Sequence, residues 1–279
     1  MATGDAIKNN SLYKKRSNKI FFTEDNLQQM KPKYFLCIAV CFLLICINCF
    51  AQKTIVVITP HPDDAEASCG GLIANSIAAG DKVIILTMTG GELGIGGKSR
   101  EEARAIRTAE AYNAASVLKA NVEFFGAIDA SLAFDSASSS KLTEILLKWN
   151  PAIVLAPWPL DVHSDHQATG LLAWKVFQDK RFSFSLFFYE TINEPHTKTF
   201  GFIPTEYIDI SAVMEIKKKA LYQHQSQHPS QWYGMYETLS KVRGYEADKP
   251  FAEAYCRAQN SSGMGGRSNS IKKTLSVEK

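Results

Sequence analysis

The sequence predicts an α/β fold in which a doubly wound, Rossmann-like and mostly parallel sheet is flanked by helices. Short runs of β-branched residues, typical of buried strands, alternate along the chain with helical patterns of about ten or more residues. Such alternation is typical of parallel sheets. The apolar content of 46% is sufficient for a core on both faces of the sheet, and 279 residues suit one domain with appendages.

The first half of the alternation begins with a strand at residues 55–58, which ends before Pro60. The residues after it predict, in order, a helix, a strand, a helix and a strand: Ala65–Ala79, Val83–Met88, Ser99–Leu118 and Val122–Phe125. The long helix opens on the Ser-x-x-Glu pattern of a capping box, which fixes its start.

The second half continues the same pattern with less regular spacing. It predicts a helix, a strand and a helix, then two strands and a last helix: Ser138–Trp149, Ile153–Ala156, about His166–Gln178, Leu186–Ile192, Tyr207–Ile210 and Ala212–Gln225. The polar residues 260–279 are rich in Ser, Gly and Lys and are predicted to be a flexible tail.

Residues 1–51 are predicted to be a leader. An apolar segment, Tyr34–Ile47, follows two lysines and precedes Ala51, the order of parts in a secretory signal peptide. The leader is either a signal peptide that starts functionally at Met30 or a retained N-terminal anchor, with a lipid-modified cysteine as a third alternative. Each alternative exports the domain, residues 52–259, to the periplasm or the cell exterior.

The charge distribution argues against nucleic acid as a partner. The chain carries +3 at pH 7, but seven of its 31 basic residues and three of its 28 acidic residues lie in the leader. The remainder therefore holds 24 basic and 25 acidic side chains, without the basic excess that phosphate binding requires. Contact with a membrane is expected only through the N-terminal segment.

Two polar clusters follow the first and fourth predicted strands. His61, Asp63 and Asp64 come after the first strand, and His163 and His166 come after the fourth. These strands are neighbours at the switch point of a doubly wound sheet, so the clusters are expected to meet in one crevice. Imidazole and carboxylate groups are zinc ligands, and one acid is left for proton transfer. The clusters predict a metal site, with a polar turn and surface histidines as the structural alternative.

These clusters resemble the PIG-L/LmbE-like family of zinc-dependent deacetylases, which remove the N-acetyl group from N-acetylglucosamine-type compounds. The resemblance extends from about residue 53 to residue 227. It is carried by the following segments: His61-Pro62-Asp63-Asp64, Glu66, Cys69-Gly70-Gly71, Gly91-Glu92, Arg107, Glu110-Ala111, Asp129, His163-Ser164-Asp165-His166, Lys219-Ala220-Leu221 and His224-Gln225-Ser226-Gln227. The Gly-Glu-Leu-Gly loop is most similar to the bacillithiol-type branch.

The resemblance implies a role for each residue of the two clusters. His61, Asp64 and His166 would bind Zn²⁺, or Fe²⁺, and leave a position open for water and substrate. Asp63 would be the general base, and His163 would stabilise the oxyanion of the tetrahedral intermediate. The substrate implied is an amino sugar, either a small molecule or a glycoconjugate.

Three residues next to the second cluster depart from the family pattern or have a supporting role. Ser164 replaces the usual proline, and Asp161 stands where some relatives have a tyrosine near the substrate carbonyl. Asp161 or Asp165 is expected to orient a histidine ligand by accepting its second N–H.

Four further residues have two interpretations each. By resemblance, Arg107 and Asp129 bind sugar hydroxyls; the alternatives are a helix-surface salt bridge and a loop cap. Glu66 is expected to be a charge at a helix N-terminus and not a catalyst. His224 either closes the floor of the pocket or packs in the core.

Other functions fit parts of the sequence. Gly97-Lys98-Ser99 matches the end of a phosphate-binding loop, but Glu92 replaces the first glycine of that motif and would repel phosphate. A metal-dependent esterase acting on an acylated sugar and a non-catalytic exported glycan-binding protein of the same fold are the remaining alternatives. The presence of every proposed ligand and of the proposed base favours the deacetylase.

Overall fold

The computed structural model describes residues 52–192 and 200–259, so the predicted leader and tail lie outside the described residues. In this part of the chain, seven strands form one sheet. They are β1 Thr54–Thr59, β2 Lys82–Thr89, β3 Asn121–Ala127, β4 Ile153–Pro157, β5 Ser185–Tyr189, β6 Glu206–Asp209 and β7 Ala252–Arg257.

Six helices accompany the sheet in the same described ranges. They are α1 Asp64–Ala78, α2 Arg100–Leu118, α3 Ser136–Trp149, α4 Ser164–Phe177, α5 Met214–Leu221 and α6 Tyr233–Glu246. None of these helices combines the length and the apolarity that a membrane span requires.

The strand order is β3-β2-β1-β4-β5-β7-β6. The first five strands run parallel, and β7 pairs antiparallel with both β5 and β6. The predicted mostly parallel, doubly wound sheet is therefore confirmed. Strands β1 and β4 are direct neighbours, with Val57 opposite Leu155, so the turns after them lie side by side at the carboxyl edge of the sheet.

The core lies on both faces of the sheet, and β1 shows why its sequence is continuously apolar. Ile55 and Val57 pack into the cluster that contains α1, while Val56 and Ile58 pack into the cluster that contains α4. All four side chains are fully buried. A strand covered on both faces cannot alternate apolar with polar residues.

The structure corrects two predicted ends and adds two elements. The helix predicted at Ala212–Gln225 ends at Leu221, and beyond it Ser226 donates its N–H and its hydroxyl to the Glu110 carboxylate at 2.7 and 2.6 Å. The strand predicted to reach residue 192 ends at Tyr189. The sequence analysis predicts neither α6 nor β7. Other predicted ends lie within two residues of the observed ones, and the predicted capping box of α2 is present.

The absence of a side chain at Gly71 allows α1 to pack closely against a buried ion pair. The Gly71 N–H donates to Glu253 Oε1 at 2.8 Å, and Lys217 Nζ lies 2.7 Å from the same oxygen. A Cβ atom on Gly71 would lie 2.4 Å from Ile210 Cγ2. The Cys-Gly-Gly segment thus packs α1 against β7 and α5.

Gly71→Ala is expected to lower the free energy of unfolding by about 1–3 kcal/mol, the usual cost of overpacking a core. Chemical denaturation of both proteins measures the difference. Gly234→Ala in α6 is the matched control, because a Cβ there meets no atom within 4 Å, and alanine is favoured over glycine in a helix by about 0.5–1 kcal/mol. Equal stability of Gly71→Ala and the unchanged protein would contradict the packing argument.

Candidate active site

The two predicted clusters meet in a pocket of about 540 Å³ at the carboxyl edge of the sheet. The turn between β1 and α1 contributes His61, Asp63 and Asp64, and the start of α4 contributes His163 and His166. The predicted meeting of the two strand ends is therefore observed. The catalytic and ligand residues of the sequence prediction all line this pocket.

Three side-chain atoms form a nearly equilateral triangle. His61 Nδ1 lies 3.3 Å from Asp64 Oδ2, His166 Nε2 lies 3.4 Å from the same oxygen, and the two nitrogens are 3.3 Å apart. Ligands at about 2.0–2.1 Å from a tetrahedral zinc ion are about 3.3–3.4 Å from one another. All three residues are at most 9% exposed. The residues present thus fit a zinc-sized cation with one tetrahedral position left open.

Carboxylates lie behind both histidines of the triangle. His61 Nε2 is 3.2 Å from Asp129 Oδ1 and 3.3 Å from Asp165 Oδ2, and His166 Nδ1 is 3.4 Å from Asp161 Oδ2. An N–H donated to a carboxylate fixes the tautomer and leaves the opposite ring nitrogen free for a metal. Asp161 and Asp165 both lie where an orienting acceptor was predicted, and Asp129 occupies an equivalent position.

These contacts set the charge state of the metal-free residues. Burial opposes a charged ring, yet the carboxylates of Asp64 and Asp161 raise the pKa of His166 to about 9. Burial also opposes ionisation of Asp129, but its bonds with His61 and with the Leu93 N–H lower the pKa of that carboxyl to about 2. The pKa values of Asp64, Asp129, Asp161 and Asp165 are all lowered, and those of His61 and His166 are raised. These four carboxylates therefore surround two cationic rings at neutral pH, a charge arrangement that suits exchange of protons for a metal ion.

Two further groups of side chains are also close enough to share a cation. His61, Asp129 and Asp165 form one such group, and His61 with His163 and His166 forms another. In the first group Asp165 Oδ2 accepts the Ala130 N–H at 2.8 Å, just as Asp64 Oδ2 of the triangle accepts the His61 N–H at 3.1 Å. Asp129 bonds the Leu93 N–H through Oδ2 and faces His61 with Oδ1. In the triangle that includes Asp64, all three distances between ligand atoms match those of a tetrahedral zinc site.

Asp63 lies beside the triangle in an unusual backbone conformation. Its φ is 116°, a region that residues other than glycine rarely adopt. Its side chain is 15% exposed, more than the side chains of the metal triangle. Burial, with a smaller contribution from the neighbouring Asp64 charge, raises the pKa of Asp63 to about 6, although Arg107 opposes the shift. A carboxyl with that pKa can both accept and return a proton near neutral pH.

Arg107 holds this turn in place. Its Nη2 donates to the Pro62 carbonyl at 2.6 Å and to Asp63 Oδ2 at 3.1 Å, and its Nη1 donates to the Gly91 carbonyl. A Cβ atom on Gly91 would lie 2.4 Å from Arg107 Nη1, so the glycine makes room for the guanidinium. Arg107 is only 4% exposed, which excludes the alternative of a helix-surface salt bridge.

His163 caps α4 with its ring. Its Nδ1 accepts the Asp165 N–H at 3.2 Å, so the neutral ring carries its proton on Nε2. Burial and the nearby rings of His61 and His166 lower the pKa of His163, which keeps the imidazole neutral. A neutral ring with one N–H and partial exposure can donate a hydrogen bond to a bound carbonyl oxygen.

His224 packs in the core and does not form the pocket floor. It is fully buried, and its Nε2 lies 3.3 Å from Glu66 Oε2. Glu66 is only 3% exposed and lies in the first turn of α1, as the sequence predicts. Neither residue lines the pocket.

The sequence analysis missed the outer wall of the pocket. This wall consists of side chains from the β2–α2 loop, the segment after β5, the segment between α5 and α6, and the first turn of α6: Leu93, Ile192, Gln227, Trp232, Met235 and Tyr236. Of these residues, Leu93 and Gln227 belonged to recognised motifs. The Trp-Tyr-Gly-Met-Tyr run at 232–236 was the available signal, since clustered aromatic residues are enriched in ligand pockets.

Known proteins resemble the chain over most of the described residues. The family model described as PIG-L, GlcNAc-PI de-N-acetylase, matches residues 56–177. A diacetylchitobiose deacetylase of Thermococcus kodakarensis is 30% identical over 219 residues, which are 72% of this chain and 81% of that protein.

Two solved structures share the fold of this chain and differ in their sequence identity to it. The N,N'-diacetylchitobiose deacetylase of Pyrococcus horikoshii, complexed with an inhibitor, has a TM-score of 0.67 and 26% identity over 75% of this chain and 84% of that chain. GalB of Pseudomonas putida, a 4-carboxy-2-hydroxymuconate hydratase, has the same TM-score at 21% identity over 77% of this chain and all of that chain. The hydratase shares the fold alone. On the family match and the 30% identical relative, this chain belongs to the PIG-L/LmbE family.

Proposed function

We propose that this protein is a metal-dependent hydrolase that removes the N-acetyl group from an N-acetylglucosamine-type amino sugar or glycoconjugate. The observation that carries the proposal is the triangle of His61, Asp64 and His166, with Asp63 and His163 beside it in one pocket. The relatives named as diacetylchitobiose deacetylases support an amino-sugar substrate.

His61, Asp64 and His166 would hold the metal ion. Histidine and carboxylate ligands accept both Zn²⁺ and Fe²⁺. When bound, the metal supplies Lewis-acid activation of water and of the acetyl carbonyl.

Asp63 transfers protons, and His163 stabilises the negative charge that develops on the carbonyl oxygen. The Asp63 carboxylate accepts a proton from the attacking water as the new C–O bond forms at the acetyl carbon. The Nε2–H of His163 donates to the carbonyl oxygen as negative charge develops on it. When the C–N bond breaks, Asp63 returns its proton to the departing nitrogen, so the products are acetate and a free amine.

Acetate release from N-acetylglucosamine and N,N'-diacetylchitobiose tests this proposal. The full chain, purified in detergent, is stripped with a chelator and assayed alone, with Zn²⁺ and with Fe²⁺. We expect release only after metal is restored. Stoichiometric metal binding without release of acetate from either sugar would instead favour an esterase, and absence of metal binding would favour a glycan-binding protein.

Arg107→Ala is expected to lower kcat for acetate release by at least about tenfold with a smaller change in KM, because the guanidinium holds Asp63 and its turn. Steady-state kinetics with measured metal content tests this expectation. Arg104→Ala, one helical turn away on α2 and paired with Glu92, is the matched control. A rise in KM at constant kcat would assign Arg107 to the sugar, the role implied by the family resemblance.

A further inference from the structure

The pocket has two chemically different walls. The inner wall carries the ionisable residues of the proposed reaction, including His61, Asp63 and His163. The outer wall is built largely from carbon and includes Leu93, Trp232, Met235 and others. Removal of an acetyl group needs only the inner wall, so the outer wall has no part in the chemistry described above.

Trp232 is held in a fixed position on this outer wall. Its indole N–H donates to the Gln227 carbonyl at 2.8 Å, and its ring meets the Tyr236 ring edge-on at a centroid distance of 5.7 Å. The Tyr236 hydroxyl in turn accepts the Ile192 N–H at 3.0 Å. Because its only polar group is bonded within the protein, partly exposed Trp232 has only carbon atoms and π surface for a ligand.

The segment before Trp232 serves to hold it. Ser226 donates twice to Glu110 of α2, and the Gln227 side-chain amide donates to the Gly94 carbonyl at 3.2 Å. These bonds attach the short 3-10 turn at Gln225–Gln227, and with it the acceptor of the indole N–H, to α2 and the β2–α2 loop. The His-Gln-Ser-Gln motif thus positions the aromatic wall and adds no catalytic group.

We propose that Trp232 forms a sugar subsite that stacks against the pyranose ring next to the one being deacetylated. The substrate is then a di- or oligosaccharide, or a glycan conjugate, in preference to a free monosaccharide. A pyranose presents C–H groups on its faces, which pack on aromatic rings, and hydroxyls at its edge. The pocket offers both kinds of surface, because Leu93 and Met235 line it together with Trp232, and the polar inner wall faces the same cavity. The inference rests on the proposed function for the identity of the reacting ring.

The kinetic test compares kcat/KM for N-acetylglucosamine and N,N'-diacetylchitobiose in the unchanged protein, Trp232→Ala and Trp232→Phe. We expect a preference for the disaccharide that Trp232→Ala reduces by about tenfold and Trp232→Phe reduces less, while the value for the monosaccharide changes by less than about twofold. Trp174→Ala, a half-exposed tryptophan outside the pocket, is the control. Equal losses on both sugars, or no preference in the unchanged protein, would overturn the subsite.

Binding to the metal-free protein separates this inference from the proposed function. Calorimetric titration with N,N'-diacetylchitobiose requires no turnover, so it remains informative if acetate is never released. Weaker binding in Trp232→Ala, with an unchanged melting temperature, supports the subsite. Equal binding by both proteins, or no binding by the unchanged protein, rejects it.

Discussion

Replacing Asp63 by Asn is expected to lower kcat for acetate release by about 10²–10⁴-fold, the range typical of one general acid–base group. The amide is nearly the same size as the carboxylate. Its oxygen can still accept the hydrogen bond from Arg107 Nη2, which is 3.1 Å long in the structure. It cannot take a proton from water at neutral pH. The measurement pairs initial rates of acetate release with metal analysis of the same samples.

The metal content separates this role from that of the neighbouring aspartate. Asp63→Asn should retain stoichiometric metal, because the oxygen that completes the triangle belongs to Asp64. Asp179→Asn, a surface carboxylate paired with Arg181, controls for the loss of one negative charge. Loss of metal in Asp63→Asn would show that the roles of the two aspartates are exchanged, and full activity would remove Asp63 from catalysis.

The parallel part of the fold could be predicted from the sequence because each of its elements satisfies one local rule. Strands β1, β2 and β4 are short apolar runs buried on both faces, and α2 opens on a capping box. In contrast, α6 begins at Tyr233, its N-cap residue Trp232 makes no side-chain capping bond, and the helix contains two glycines. The sequence of β7 places Glu253 in the core, where Lys217 and two backbone N–H groups stabilise it. Such a strand depends on distant partners that no local pattern reveals.

The sequence names the candidate site residues and predicts that their two clusters meet, but it does not reveal the contacts of the individual side chains. Adjacent Asp63 and Asp64 are chemically equivalent in a sequence, and the backbone turn directs them to different partners. Only the structure shows that Arg107 contacts that turn from α2 and that Asp129 contacts His61. Roles that depend on contacts between residues tens of positions apart require the fold, even where a family motif names the residues.

His166→Ala is expected to abolish stoichiometric metal binding, and acetate release with it. Loss of one outer hydrogen-bond partner typically costs about 10–100-fold in metal affinity, and loss of a ligand should cost more. His163→Ala, three positions earlier on the same turn, is the matched control and should retain metal while losing turnover. Asp161→Asn should be intermediate, because its oxygen lies 3.4 Å from Nδ1 of His166. Competition with a chelating dye measures the affinities, and His166→Gln repeats the test with a side chain closer in size.

The same series decides between the triangle and the group of His61, Asp129 and Asp165, which shares His61 with it. If the ion is held by Asp64 and His166, Asp129→Asn should weaken it only as an outer partner does, by about 10–100-fold. If the ion is held by His61, Asp129 and Asp165, Asp129→Asn should remove it and His166→Ala should leave it in place. The second outcome would move the metal from the Nδ1 side of His61 to its Nε2 side, where Asp129 and Asp165 lie, and would remove Asp64 and His166 from the set of ligands. The metal content of two single variants thus tests the geometry on which the proposed reaction depends.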